Sequence, residues 1–479
     1  MAPAMRPLYL AVACLFFASP FAFAAEPRRD GAKTFSVLSR PVKLKYGEVH
    51  NTIQDPIKLP KEIVDEFASD PIAIVNYDVD IVTMDEATGE ERQVPLYAGY
   101  NHHYAMGIGP YEMMKKYYEA HKNDPYGGYE LNTTSDVHSF GSAPVMKRFM
   151  SDMAGLGLPV PNRRGRRAAN FGGGSGAEER GTSHLLPSPY AHVVDTPQAL
   201  IPLIHLINTK GSERNQDGYS PLLECPCTPQ RSFDLASGEI DGRPPVPPFS
   251  CNLKFDQEEN PSCFMDIYEG GFRCCEHGVF VIDTDVYPPE SLPETTFYFK
   301  FNFEYESVAP STLEVRPPAC CDVTANLTVG GNIEYDVPAC TAGVAAEDCV
   351  HEMTSSQFFD LMPNYHSNET RKGDVDPETP VDLVYAVGHL HVGGLSLDLY
   401  NDETGELICH SVPKYGTGEE AGNEKGYLVG MTSCTFDPPV RMTKETVVRT
   451  VARYNNTINR HGVMALWLME VSDPKPAAF

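Results

Sequence analysis

The sequence predicts an all-β fold of β-sandwich or jelly-roll layers, and three observations lead there. Strand patterns recur along the chain, as in Ile72–Val79, Thr296–Phe303 and Asp382–Tyr400, with the side-chain alternation that buries one face of a strand. There are 41 prolines, 38 glycines and one tryptophan in 479 residues, with few long helical periods, so turns punctuate short strands. Ten cysteines lie between Cys225 and Cys349, a density that fits disulfide-rich insertions stapled between strands.

The ends set the compartment. Arg6 precedes an apolar run from Leu8 to Phe17, and Ala22-Phe23-Ala24 offers a small-residue cleavage site, so residues 1–24 read as a secretory signal. No later window holds eighteen consecutive apolar residues, and no stable membrane insertion is expected after cleavage. Loss of Cys14 leaves twelve of the thirteen cysteines, an even number suited to an oxidising, extracellular or lumenal space. Cys409 and Cys434 are expected to bond to each other, and the adjacent pairs Cys274-Cys275 and Cys320-Cys321 to bond elsewhere. Cys225-Pro226-Cys227 lacks the paired Cys-x2-Cys spacing of a zinc site. Asn132, Asn326, Asn368 and Asn455 head Asn-x-Ser/Thr sequons that would be glycosylated in a eukaryote. A net charge of −27, from 65 acidic and 38 basic residues, argues against nucleic acid as a partner.

The clearest helical stretch is Pro110–His121, expected to be a short surface insertion. Residues Pro161–Gly181 carry Arg163, Arg164, Arg166 and Arg167 and then a glycine run, and read as a mobile loop open to processing. The glycines form no phosphate loop, since the Gly-Lys-Ser/Thr ending is missing.

Chemistry concentrates in histidines. His389 and His391 are two apart in an alternating segment, which puts both imidazoles on one face of a strand; Gly388, Gly393 and Gly394 leave room there for a metal or a second chain segment. No Glu follows at the cupin spacing. His102 and His103 are adjacent, so both can reach one metal only at a strand end or a bulge. His205, the polar member of Leu203-Ile204-His205-Leu206-Ile207, is the candidate third donor, with His192 as a substitute. Met464 is ordinarily core filler in its apolar run, and only one of Met464 and Met469 can face a site; His461 is its substitute. Imidazole with thioether is a ligand set that suits copper, Cu(I) above all.

Several of these stretches together resemble a known family. Gly388-His389-Leu390-His391-x-Gly393-Gly394, Ser411-Val412-Pro413-x-Tyr415-Gly416-x-Gly418-x-Glu420-Ala421-Gly422-Asn423-Glu424-x-Gly426-Tyr427, Val429-Gly430-Met431 and His461-Gly462-Val463-Met464 closely resemble the plant stress up-regulated nodulin family. That family is in turn similar to copper type II, ascorbate-dependent monooxygenases. The resemblance implies two tandem jelly-roll-like domains, residues 33–305 and 306–475, and two copper ions with ascorbate as reductant. It implies that His102, His103 and His205 hold an electron-transfer copper. His389, His391 and Met464 would hold the copper that activates O2 and form the catalytic centre. Peptide-amidating enzymes have an Arg before the His-x-His and polar residues after the Met; Val387, Leu466 and Leu468 stand here instead, which points to a less charged substrate. A copper-binding or structural extracellular stress protein without turnover is the alternative.

Overall fold

A computed structural model describes residues 29–85, 87–122, 169–173, 180–210, 277–282, 284–285, 288–318, 320–324, 335–359, 380–443 and 445–474. The signal segment, Arg163–Arg167, the cysteines from Cys225 to Cys275 and the sequons at Asn132, Asn326 and Asn368 lie outside the described residues.

The protein is all-β with two α-helices among the described residues. Its first half runs β1 (Lys33–Leu38), β2 (Val42–Lys45), β3 (Val49–Ile53), β4 (Ile57–Lys58), α1 (Lys61–Glu66), β5 (Ile72–Met84), β6 (Glu91–Gln93), β7 (Gly99–Gly109), α2 (Tyr111–His121), β8 (Ala169–Gly173), β9 (Tyr190–Val194), β10 (Ala199–Asn208) and β11 (Glu294–Ser307). Its second half runs β12 (Leu313–Arg316), β13 (Tyr335–Val337), β14 (Val350–Phe358), β15 (Val381–Leu390), β16 (Gly394–Asn401), β17 (Leu407–Ser411), β18 (Pro413–Tyr415), β19 (Leu428–Met431), β20 (Ser433–Met442), β21 (Val447–Asn455), β22 (Arg460–Val463) and β23 (Ala465–Ser472).

Alternation in the sequence becomes layering. In β11, Phe297, Phe299, Phe301 and Phe303 point to one side with Tyr77, Val79 and Ile81 of β5, against Tyr104, Met106 and Ile108 of β7 and Leu200, Ile204 and Leu206 of β10. Each such phenylalanine contributes roughly 2–3 kcal/mol by leaving water. A second core lies between β15 and β23 on one side and β16 and β21 on the other, with Leu397, Leu399, Val448 and Tyr454 inside. One ten-stranded sheet, ordered β1-β11-β5-β9-β12-β23-β15-β20 with β2 and β6 beside it, serves both cores. The two halves meet where β9 and β12 pair in parallel, Tyr190 opposite Leu313 and Ala191 opposite Glu314. β12 then pairs with β23 through Val315 and Arg316.

The glycine-rich stretch Gly416–Gly426 docks onto the first half. Buried Glu424 accepts the Leu96 N–H at 3.0 Å and faces Arg180 at 3.5 Å. Gly181 and Gly430 let two backbones touch, for a Cβ on Gly181 would lie 2.2 Å from the Val429 carbonyl oxygen.

Several expectations are corrected. The predicted helix forms as α2, but it is no surface insertion: Met113, Met114 and Tyr117 are buried, because it follows β7 directly and packs on β7 and β10. Part of the expected loop is strand β8, with Phe171 opposite Met106 and Gly172 opposite Ala105 on the edge of β7. Cys409 bonds to Cys434 as expected, with Cα atoms 6.0 Å apart. Cys320 and Cys321 bond to each other; the other described cysteines are already paired, Cys340 with Cys349 and Cys409 with Cys434. Among the described residues no helix is long and apolar enough to cross a membrane.

Candidate metal centres

The first centre is made by a bulge. β7 and β10 are antiparallel with Tyr104 opposite Ile204 and His103 opposite His205, but Asn101 is opposite Leu206. His102 is therefore the extra residue, and two residues of β7 oppose one of β10. In an unbroken strand His102 would share the face of Tyr104, which lies in the core. The bulge instead brings its ring to the His205 ring, centroids 4.4 Å apart. His102 is 2% exposed and His205 is fully buried. On the far side of β10, Asn51 of β3 stands opposite His205, so the pair sits in the middle of a sheet rather than at its rim. The His103 side chain lies outside the described residues.

The second centre forms where β15 stops. Sequence alternation places His389 and His391 on one strand, but β15 ends at Leu390 and His391 stands in the turn that leads to β16. The turn closes with the Gly394 N–H on the His391 carbonyl at 3.0 Å, and Gly393 takes φ +96°, a value that L side chains avoid. The two rings still meet edge to face, at 77° with centroids 5.1 Å apart, and His389 is 2% exposed. The room left by the glycines is filled by other parts of the chain. The Arg460 guanidinium lies where a Cβ on Gly393 would be, 2.1 Å away, and donates to the carbonyls of Val392 and Asn455 at 3.1 and 2.7 Å. Tyr415 Oη accepts the Gly393 N–H and donates to the Gly394 carbonyl, both at 2.9 Å. Gly388 serves packing, since a Cβ there would meet Leu397 and Ser411 at 3.0 Å.

Met464 lies between β22 and β23, 3% exposed. Its neighbours Val463 and Ala465, and Met469 beyond, belong to the second core, and Met464 does not. Tyr454 ties it to the histidine turn. The Tyr454 hydroxyl accepts the His391 N–H at 2.8 Å and donates to the Met464 carbonyl at 2.5 Å, so one buried hydroxyl spans both segments. Tyr454 carried no signal in the sequence: its partners are backbone groups, and only the fold brings them together.

Three apolar residues share the face of His389. Leu466 is directly opposite it across β23, and Val387 is opposite Leu468, which places all four on one face of the β15–β23 pair. The substitute candidate His192 is elsewhere, 3.3 Å from Glu470 across the junction of the halves. The side chain of His461 lies outside the described residues. Another histidine pair, His50 and His277, meets at 5.0 Å between centroids, and burial pushes the His50 imidazole down to about 3.

Among the described residues no group of three or more His, Cys, Asp and Glu side chains is placed to hold a metal ion. Thioethers stand outside that set, as does the His103 side chain. What the described residues do bring together is His102 with His205, and His389 with His391 beside the segment of Met464.

Comparison with known proteins gives one family. The family model of Stress up-regulated Nod 19 matches residues 30–474. No curated protein matches the chain. Among solved structures, the chain is similar to one titled "Structure of infectious bursal disease virus Gx strain", at 10% identity over 93% of this chain and 73% of that one, with a TM-score of 0.16. A likeness at that level carries no argument about fold or chemistry.

Proposed function

The chain belongs to the stress up-regulated Nod 19 family, and from that premise we propose that it is a secreted copper-dependent monooxygenase-like protein, with O2 and ascorbate as co-substrates. The observation that carries the reading is the Tyr454 hydroxyl between the His391 N–H and the Met464 carbonyl. It anchors the backbone of Met464 next to a His-x-His turn 73 residues away in sequence, which brings the three candidate ligands to one region of the fold.

The residues fit copper. Two close imidazoles at each centre, with the Met464 segment beside the second, offer a soft nitrogen and sulfur set of the kind that holds Cu(I). When bound, copper supplies one-electron redox chemistry and O2 activation. Everything else falls to the chain. His102, His103 and His205 would hold one ion inside a sheet, shielded from substrate by the burial of both described rings. His389, His391 and Met464 would hold the other at a turn, where a ligand can approach more readily than in mid-sheet. Leu466, Leu468 and Val387 on the face of His389 keep its surroundings apolar and offer no charge for a substrate carboxylate. Three disulfides among the described residues and the N-terminal signal pattern support an oxidising compartment.

The test is copper stoichiometry on the mature protein with His103→Ala and His389→Ala beside it, and O2 uptake followed with ascorbate. Two coppers, one lost in each variant, with uptake abolished by either, is the expected result. Two coppers without uptake on any apolar substrate would leave the binding role alone, and no copper would return the histidines to structure.

A further inference from the structure

The two histidine centres are joined by a segment that supplies ligands to neither. It is the hairpin of β18 and β19, whose foot stands on the second centre and whose tip reaches the strands of the first. At the foot, the Ser411 hydroxyl accepts the Gly388 N–H at 3.0 Å and donates to the Thr432 carbonyl at 2.6 Å. Gly388 directly precedes His389. Tyr415 takes hold of Gly393 and Gly394, just beyond His391, so bonds from the hairpin flank both histidines.

The tip acts through one carboxylate. Glu424 is 1% exposed; its Oε1 accepts the Leu96 N–H at 3.0 Å, and both its oxygens share the Gly422 N–H at 3.0 Å. Leu96 lies in the turn that opens β7, which closes with the Ala98 and Gly99 N–H groups on the Pro95 carbonyl at 2.9 and 3.2 Å. β7 carries His102. In the same turn, the Tyr97 carbonyl accepts the Thr209 hydroxyl at 3.0 Å, directly after β10, which carries His205. The turn that Glu424 grips therefore touches both strands of the first pair.

Between foot and tip the hairpin is stiff. Its two arms are bonded from the Gly416 N–H to the Tyr427 carbonyl at 2.9 Å and from the Gly418 N–H to the Asn423 carbonyl at 2.7 Å. They lie so close that a Cβ on Gly416 would be 2.2 Å from the Glu424 carbonyl oxygen. Leu96, Tyr427 and Val429 pack into a small apolar cluster across the same contact. A buried carboxylate is costly unless it is bonded, and a bond from a backbone N–H to a charged oxygen is about twice as strong as a neutral one.

We infer that Glu424 is a positioning residue that fixes the spacing of the two histidine centres through this hairpin. The inference rests on the copper reading, since the spacing is of use only between two bound ions.

Amide hydrogen exchange of the metal-free full chain, Glu424→Gln against wild type, tests the link without copper. Glutamine keeps the shape and one acceptor oxygen but loses the charge. Exchange should quicken about tenfold at Leu96 and Gly422, and about threefold at Gly393 and Gly394 at the far end of the hairpin. β1, at the edge of the ten-stranded sheet, should not change. Gly422→Ala, strained at φ +86° and 3.0 Å from Arg180 Cδ, should give the same pattern and decides the matter should the glutamine variant misfold. In the copper-loaded proteins, pulsed EPR of the coupling between two Cu(II) ions should give a narrow distance in wild type and a broad one in the variants, with two ions bound in each. Quickening confined to Leu96 and Gly422 would reduce Glu424 to a local loop contact and overturn the inference. An unchanged distance between the ions, or a rise in exchange shared by β1, would overturn it too. A chain that binds no copper and still shows the response at Gly393 would sink the copper reading and leave the link standing.

Discussion

His102 and His205 face each other midway along strands of eleven and ten residues, with further strands on both sides. His389 and His391 straddle the place where a strand ends. The first pair is fixed by backbone ladders, and its one irregularity is a residue too many. The second is fixed by side chains from afar: Tyr454, Tyr415 and Arg460 hold a turn that has no ladder of its own. A centre made by backbone pairing resists loss of neighbouring side chains and is sensitive to register, whereas one made by side-chain latches is sensitive to single hydroxyls.

That contrast can be broken most forcefully at Gly393. Alanine there meets both a left-handed φ of +96° and the Arg460 guanidinium, and should cost about 2–4 kcal/mol in urea unfolding. Copper bound per chain should fall from two to one; loss of both ions would show that the centres are not built independently. Tyr454→Phe should come next, at about 1–3 kcal/mol, because it strips partners from a buried N–H and a buried carbonyl. In competition with a Cu(I) chelator the second centre should weaken about tenfold and the first should hold; unchanged affinity at the second would remove Tyr454 from any positioning role. Tyr415→Phe is milder, about 1 kcal/mol or less, since the Tyr415 side chain is 37% exposed and water can replace its hydroxyl.

The smallest effect concerns acid and the first half. His50, on β3 next to Asn51, is held neutral by burial with its pKa lowered to about 3. A group whose folded pKa lies below its unfolded value of about 6.5 contributes stability above pH 6.5 and loses it as pH falls toward 3. At pH 6 the loss is about 1 kcal/mol. Unfolding curves of wild type and His50→Phe at pH 7.5 and pH 6 should differ by that amount; parallel pH dependence would mean that His50 titrates normally.

The two centres were not equally legible in the sequence. Alternation in Ile72–Val79 and Thr296–Phe303 foretold β5 and β11, because a period of two survives whatever lies across the sheet. Adjacency of His102 and His103 called for a strand end or a bulge, since no regular strand turns neighbours to one side, and the register shows a bulge. The glycines after His391 marked a close approach, yet nothing named Arg460 as the visitor. Long-range partners are set by topology, and so Tyr454, Tyr415 and the docking of Glu424 on Leu96 stayed hidden.

The seam between the halves has a mechanical meaning. β12 is four residues long, zipped to one half by its first two and to the other by its last two. Under tension across the chain, this seam bears load through few backbone links, with the His192–Glu470 contact beside it and the docked Glu424 and Met431 segments as further ties. Its backbone pairing is the shortest in the ten-stranded path, and pulling should open the sheet there before either core gives way. A single-molecule force trace would register that parting as a low first yield ahead of two stiffer ones.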